Sequence, residues 1–153
     1  MATTYRSATE HDIEWMVELR AEVLRDDLER LGRYDPHRVR QRMRDGYLPA
    51  STRVVLEDDV EVGCVAVRTE DDARWLEHFY LAPDVQGRGI GGRVLRTVLA
   101  EEDPRPFRLN VLQGSPARRL YERHGFTVDS QDDVDVFMTR AVRPSGRSAP
   151  SGR

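Results

Sequence analysis

Lysine is missing: all 24 basic residues of this 153-residue chain are arginine. That excludes a Schiff-base lysine and a phosphate loop of the G-x-x-x-x-G-K-[ST] type, whose lysine reaches the terminal phosphates. Cysteine is nearly missing too. Cys64 stands alone, so no intramolecular disulfide can form and a secreted disulfide scaffold is excluded. The four histidines are scattered and match no zinc-binding spacing, so no metal is expected. No run of 18 apolar residues occurs, and residues 1–10 lack the apolar stretch of a secretory leader. No membrane partner is therefore expected, and a cytoplasmic location is. An excess of positive charge is absent as well: the net charge of -3 gives no electrostatic ground for binding nucleic acid.

What is present suits one core, with 39% hydrophobic and 33% charged residues. Residues 3–7 read as a strand. Thr9 with Asp12 resembles a capping box, with Asp where Glu or Gln is usual. A helix follows, with Ile13, Met16, Val17, Ala21, Leu24, Leu28 and Leu31 at three- and four-residue steps and Gly32 as its left-handed stop. Asp35 and Pro36 open a second helix with Val39 and Met43 inward, and the pattern gives this helix pair no strand of its own. From Thr52 the period becomes two, predicting an antiparallel meander of 52–57, 61–68 and 73–81. A helix over 89–100, a strand over 107–112, a helix opened by Ser115 and Pro116, and a hairpin of 126–128 with 134–140 complete the domain, residues 1–142. The Pro, Ser, Gly and Arg composition of 143–153 reads as a disordered tail.

The dense glycine stretch, Gln86-Gly87-Arg88-Gly89-Ile90-Gly91-Gly92, lies between a strand and a helix, where backbone amides can converge on an anion. Gly87, Gly89 and Gly92 also satisfy G-x-G-x-x-G. A dinucleotide fold, however, needs that loop after the first strand of a mostly parallel sheet, with an acid near the end of the next strand; here Asn110, Val111 and Leu112 stand there. Glycines that only make a tight turn are the third reading.

The chain resembles the GNAT superfamily of N-acetyltransferases, whose acetyl-coenzyme A motif [QR]-x-x-G-x-[GA] is matched by Gln86, Gly89 and Gly91. Phe79 to Asp84 (FYLAPD) looks like the family's fourth strand and its turn, and Ala117 to Phe126 (ARRLYERHGF) like its other block, in the right order and spacing. The resemblance spans about residues 3–140. It implies an α/β (α+β) domain with a mostly antiparallel mixed sheet, flanked by helices and splayed at the cofactor site, that uses acetyl-CoA as co-substrate. Amides of Arg88, Gly89, Gly91 and Gly92 would face the pyrophosphate, aided by about half a unit of charge at the helix N-terminus, with Gln86 and Gly87 in the same cofactor-binding loop. Backbone groups of Phe79 and Leu81 would meet the pantetheine arm. Asn110 and Ser115 complete the implied cofactor side, Ser115 standing where family members often carry asparagine.

An alkylamine with a pKa of about 10.4 is unprotonated in only about one molecule in 2,500 at pH 7, a shortfall of roughly 4.6 kcal/mol, so a proton acceptor is useful. Strand alternation puts Glu77 on the side of Phe79 and Leu81, as a base acting directly or through water, or else as a solvent-facing carboxylate. His78 then points to the other face, in a packing role. Tyr121 occupies the place of the family's tyrosine, which implies proton donation to the departing thiolate; packing on the last helix is its plainer role. His124 suits the helix-end carbonyls and Cys64 the core. Asp26, Asp27 and Glu29 read as a solvated helix face. The expected function is direct transfer of acetyl to a primary amine, of a small molecule or a peptide; the alternative is a catalytically weak acyl-CoA-binding sensor or interaction module. The acceptor is not legible, and a homodimer stays open.

Overall fold

Eleven elements follow one another as β1 (Thr3–Ser7), α1 (Ile13–Arg30), α2 (Pro36–Gly46), β2 (Thr52–Glu57), β3 (Val60–Thr69), β4 (Arg74–Leu81), α3 (Ile90–Leu99), β5 (Phe107–Leu112), α4 (Ala117–Arg123), β6 (Thr127–Gln131) and β7 (Asp135–Arg140). This computed structural model is described over residues 2–142; the expected tail from Arg143 lies outside the described residues. The strands form one sheet in the order β1-β2-β3-β4-β5-β7-β6. Every neighbouring pair is antiparallel except β4 and β5, which α3 joins as a crossover. No helix among the described residues is long and apolar enough to cross a membrane.

Local chemistry sets the ends of these elements. Asp12 fills the capping role usually taken by Glu: its carboxylate accepts the Thr9 N–H (2.9 Å) at a single 3-10 turn that leads into α1. The same buried carboxylate accepts from the Trp15 indole (2.9 Å) and from both Arg6 terminal nitrogens (2.9 Å each), which makes it a hub tying β1 to α1. Gly32 (φ 71) stops α1. Asp35 accepts from the His37 and Arg38 amides (2.9 Å each) at the start of α2. Asp58 and Asp59, at φ 50 and 68, make the left-handed turn between β2 and β3.

The neighbours Val54 and Val55 show how the core divides. Val54, Cys64 and Tyr80 pack with Met16, Val17, Leu19 and Met43 of the α1–α2 pair. Val55, Val65 and Leu76 pack with Ile90, Val94, Leu95 and Val98 of α3 and with Phe107 and Leu109 of β5. Successive strand residues point to opposite faces, so each face of the sheet carries helices. The α1–α2 pair, which the sequence pattern left without a strand partner, therefore has one. The central strands are buried on both faces and read as continuous apolar runs in which two sets of partners cannot be separated. Cys64 is a core residue, its thiol pushed up to about 12 by burial. The last hairpin is longer on the β6 side than the periodicity predicts, because β6 is a mostly exposed edge strand with a bulge between Val128 and Ser130 and shows little apolar alternation.

Candidate active site

β4 and β5 pair only at Arg74 with Phe107 and Trp75 with Arg108. Beyond those pairs β4 runs on to Leu81 and β5 to Leu112, and the strands diverge into a wedge. The Ala82 N–H is bonded to Val62 of β3 (2.8 Å), so by alternation the N–H and C=O groups of Leu81 and Phe79 point to the opposite edge, into the wedge. A cleft of about 1320 Å³ opens there, walled by β4, β5, the glycine loop, α4 and part of the α1–α2 layer.

The strand itself is irregular at this point. β3 advances two residues from Cys64 to Ala66 while β4 advances three from Glu77 to Tyr80, and the extra residue, His78, has φ 49. Such a bulge resets the period of two. Leu76, Phe79 and Leu81 consequently all join the α3-side core, and Tyr80 joins the α1–α2 side. This corrects the expectation from alternation: Glu77 does not share a side with Phe79 and Leu81, and His78 is not turned away from it into packing. Glu77, His78 and Tyr80 gather toward the α1–α2 side, and all three line the cleft.

Two of those three residues are held by arginines, and the third, His78, by Tyr80 and Cys64. Glu77 accepts from Arg68 Nε and Nη2 (3.2 and 3.4 Å). The Tyr80 hydroxyl accepts from Arg20 Nε (2.9 Å) and lies 3.2 Å from His78 Nδ1; Arg20 also donates to the Val39 carbonyl. The Cys64 thiol donates to the His78 carbonyl (3.3 Å), anchoring the bulge. Burial lowers the His78 pKa below its ordinary value, opposed by the Glu77 charge, and raises that of Tyr80. The imidazole is therefore neutral at pH 7. Arg20, a participant missed from the sequence, had left one signal: it falls four residues after Met16 and three after Val17, on the apolar stripe of α1.

The glycine loop closes the other end of the cleft. Gly87 and Gly89 have φ 81 and 80, a region that side-chain-bearing residues rarely adopt. The first bond of α3 runs from the Arg93 N–H to the Gly89 carbonyl (3.2 Å), leaving the amides of Ile90, Gly91 and Gly92 without partners in the helix. Gly91 is also small for packing: a Cβ there would meet Leu120 Cδ2 at 3.2 Å, where α3 approaches α4. Gln86 Nε2 donates to the Leu81 carbonyl (2.9 Å), fixing the loop to the end of β4. Arg88 is exposed and does not form part of the cleft wall.

Tyr121 enters the cleft from α4. It is buried, its ring lies edge-on to Phe126 at 5.8 Å, and burial holds its pKa well above the usual phenol value. Its hydroxyl has no hydrogen-bond partner among the described residues. Asn110 and Ser115 also line the cleft, each with one polar contact: Asn110 donates to Asp135 (3.0 Å), and the Ser115 hydroxyl accepts the Ala117 N–H (3.2 Å) at the start of α4. His124 meets the Leu120 carbonyl (2.9 Å), as a helix-end residue should. No group of three or more His, Cys, Asp or Glu among the described residues is arranged to hold a metal ion.

A family model described as an acetyltransferase (GNAT) domain matches residues 49–128, just over half of the chain. No curated protein matches it. Among solved structures the chain is similar to the PaiA N-acetyltransferase of Thermoplasma acidophilum in complex with coenzyme A, at 19% identity and TM-score 0.73, covering 93% of this chain and 100% of that one. It is similar to an N-acetyltransferase from Staphylococcus aureus Mu50 at 17% identity and TM-score 0.68, covering 89% of this chain and 98% of that one. N-acetylglutamate synthase from Neisseria gonorrhoeae, complexed with coenzyme A and L-arginine, matches at 16% identity and TM-score 0.65; 93% of this chain is covered but 34% of that longer one. At these identities the likeness is one of fold.

Proposed function

The chain belongs to the GNAT acetyltransferase family and is an acyltransferase, and from that premise we propose that it moves the acetyl group of acetyl-CoA directly onto a primary amine. The observation that carries the proposal is the wedge between β4 and β5. It offers the backbone edge of Phe79 and Leu81, which no strand pairs and of which only the Leu81 carbonyl is met, by Gln86, along one wall, and the partner-free amides at the start of α3 at its end. Coenzyme A has the matching parts: an amide-bearing arm that can add along a strand edge and a pyrophosphate that suits a helix N-terminus. When bound, acetyl-CoA supplies an activated thioester.

The residues of this chain do the rest. Gln86, Gly87, Gly89, Gly91 and Gly92 form the cradle, Arg88 lying outside its wall, and Asn110 and Ser115 stand along the same cleft. Glu77 draws the ammonium form of the acceptor and takes its proton, directly or through water, with Arg68 holding the carboxylate in place. As the carbon–sulfur bond breaks, the Tyr121 hydroxyl donates to the departing sulfur. His78 is a second candidate for the proton, favoured by the burial that keeps its ring neutral at pH 7; in the tautomer that donates Nδ1–H to Tyr80, the lone pair is on Nε2.

Incubating the chain with acetyl-CoA and a panel of amines, and following free thiol, tests the reaction. Turnover with at least one amine is expected. Binding without turnover would make the protein a coenzyme A sensor. Once an acceptor is in hand, Glu77→Gln should lower kcat/KM most at low pH, where the amine is most protonated. If Glu77→Gln keeps the parental pH profile and His78→Gln loses it, the proton goes to His78 instead.

A further inference from the structure

The arginines of the α1–α2 layer divide into two groups. α2 presents three faces, as its 3.6-residue repeat requires. Val39 and Met43 are buried. Arg40 and Arg44, one turn apart, reach across to Glu18 and Glu14 of α1 (2.9 Å each). Arg38 and Arg42, also one turn apart, line the cleft and make no ion pair or side-chain hydrogen bond among the described residues.

Arg20 of α1 lines the same cleft. It is half-buried, donates to the Tyr80 hydroxyl and the Val39 carbonyl, and has no carboxylate partner. Arg20, with the exposed Arg38 and Arg42, thus borders one space without an ion pair, the charge of Asp35 acting on Arg38 from the start of α2, whereas Arg25, Arg30, Arg40 and Arg44 of the same layer each hold a carboxylate. Four of the five acids on the cleft wall are engaged elsewhere: Asp27 with Arg30 (2.6 Å), Glu77 with Arg68 (3.2 Å), Asp135 with Asn110 (3.0 Å), and Asp132 with the backbone amides of Val134 and Asp135 (2.9 and 2.7 Å) and the charge of Arg33; the fifth, Asp133, is exposed.

This cationic group is separate from the glycine cradle, since α1 and α2 cover the sheet face opposite to α3. A plain alkylammonium would be repelled by it. A carboxylate would be attracted, because the guanidinium fork matches its two oxygens and charge-assisted pairs are the stronger hydrogen bonds. Resting on the acetyl-transfer reading, we propose that the acceptor is a small amino acid, its carboxylate held by Arg20, Arg38 and Arg42 and its amine directed toward Glu77. The arginines then set specificity by charge, neutralised only when the correct acceptor is seated.

The test uses the full chain and two matched pairs of probes, β-alanine with β-alaninamide and γ-aminobutyrate with its amide. Binding is read as thermal shift in the presence of coenzyme A, and turnover as thiol release from acetyl-CoA. The acids should bind and react with kcat/KM at least about tenfold above the amides. The double variant Arg38→Gln/Arg42→Gln should erase that preference while the shift given by acetyl-CoA alone stays parental. Acids and amides acetylated equally would overturn the inference and leave the acetyl-transfer reading standing. Preferential binding of the acids without turnover would overturn the acetyl-transfer reading and the assignment of an acceptor with it, and the absence of both binding and turnover of the acids would overturn the inference. Loss of acetyl-CoA affinity in the double variant would assign the arginines to the cofactor and overturn the inference.

Discussion

Glu77 and Tyr80, three positions apart on β4, face the same side of the sheet because the strand takes in an extra residue between them at His78 (φ 49). The bulge divides the labour of the strand. Phe79 and Leu81 turn their side chains to α3 and their backbone edge to the wedge, while Glu77, His78 and Tyr80 line the cleft on the α1–α2 side, the side proposed for the acceptor.

Burial lowers the His78 pKa, so the unfolded chain binds the proton more readily than the folded one. Stability from this group is fully present above the unfolded value of about 6.5 and falls as pH drops below it. Urea unfolding at pH 7.5 and pH 5.5 should show a larger loss for the parent than for His78→Gln. Equal losses would mean that the ring gains its charge in the folded state without penalty.

Asp12 titrates in a separate window. Arg6, with the Trp15 indole and the Thr9 amide, holds its carboxyl far below the usual carboxylate range against the opposing cost of burial. The stability it contributes is present above about pH 4 and is lost as pH falls toward the folded value. Asp12→Asn should cost about 1–3 kcal/mol at pH 7, discounted because Arg6 is partly exposed, and should flatten the acid limb below pH 4. An unchanged acid midpoint would remove Asp12 from the account of acid unfolding.

The two kinds of glycine in the loop should separate experimentally. Gly89→Ala places a Cβ at φ 80 and should destabilise by about 1 kcal/mol while weakening acetyl-CoA binding. Gly91→Ala sits in the helix, where better propensity offsets the 3.2 Å approach to the flexible Leu120 side chain. Its unfolding midpoint should stay close to the parent. Calorimetric titration with acetyl-CoA and thermal melts of both variants check the contrast, and similar losses in both would place the constraint in the ligand after all.

Much of this was legible in the sequence, and the gaps have physical causes. The capping residues, Gly32, the two aspartates before β3 and the glycine loop each encode local backbone geometry, so the order of elements and the position of the cradle follow from residue type. Alternation carried Glu77 to the wrong side because a bulge at a histidine leaves no compositional mark; glycine there would have given one. Arg20, Arg38 and Arg42 were missed because their meaning comes from which neighbours are ion-paired. Arg38 and Arg40 are indistinguishable until α1 is placed beside α2.

Tyr121 offers the sharpest separation of packing from chemistry. Its ring is buried against Phe126, and its hydroxyl has no partner among the described residues, so Tyr121→Phe removes a group that the fold does not use. Burial raises its pKa, and the phenol stays protonated throughout the working range, as a donor to the leaving sulfur must. The unfolding midpoint and acetyl-CoA affinity of Tyr121→Phe should match the parent while kcat falls roughly ten- to a thousandfold, the usual range for acid catalysis. With a thiol pKa of about 8.5 the sulfur can also leave without a proton, so the lower end of that range is expected at high pH and the upper end at low pH. Unchanged kcat across that range, or a lowered midpoint, would assign Tyr121 to packing and leave departure of the thiolate unassisted.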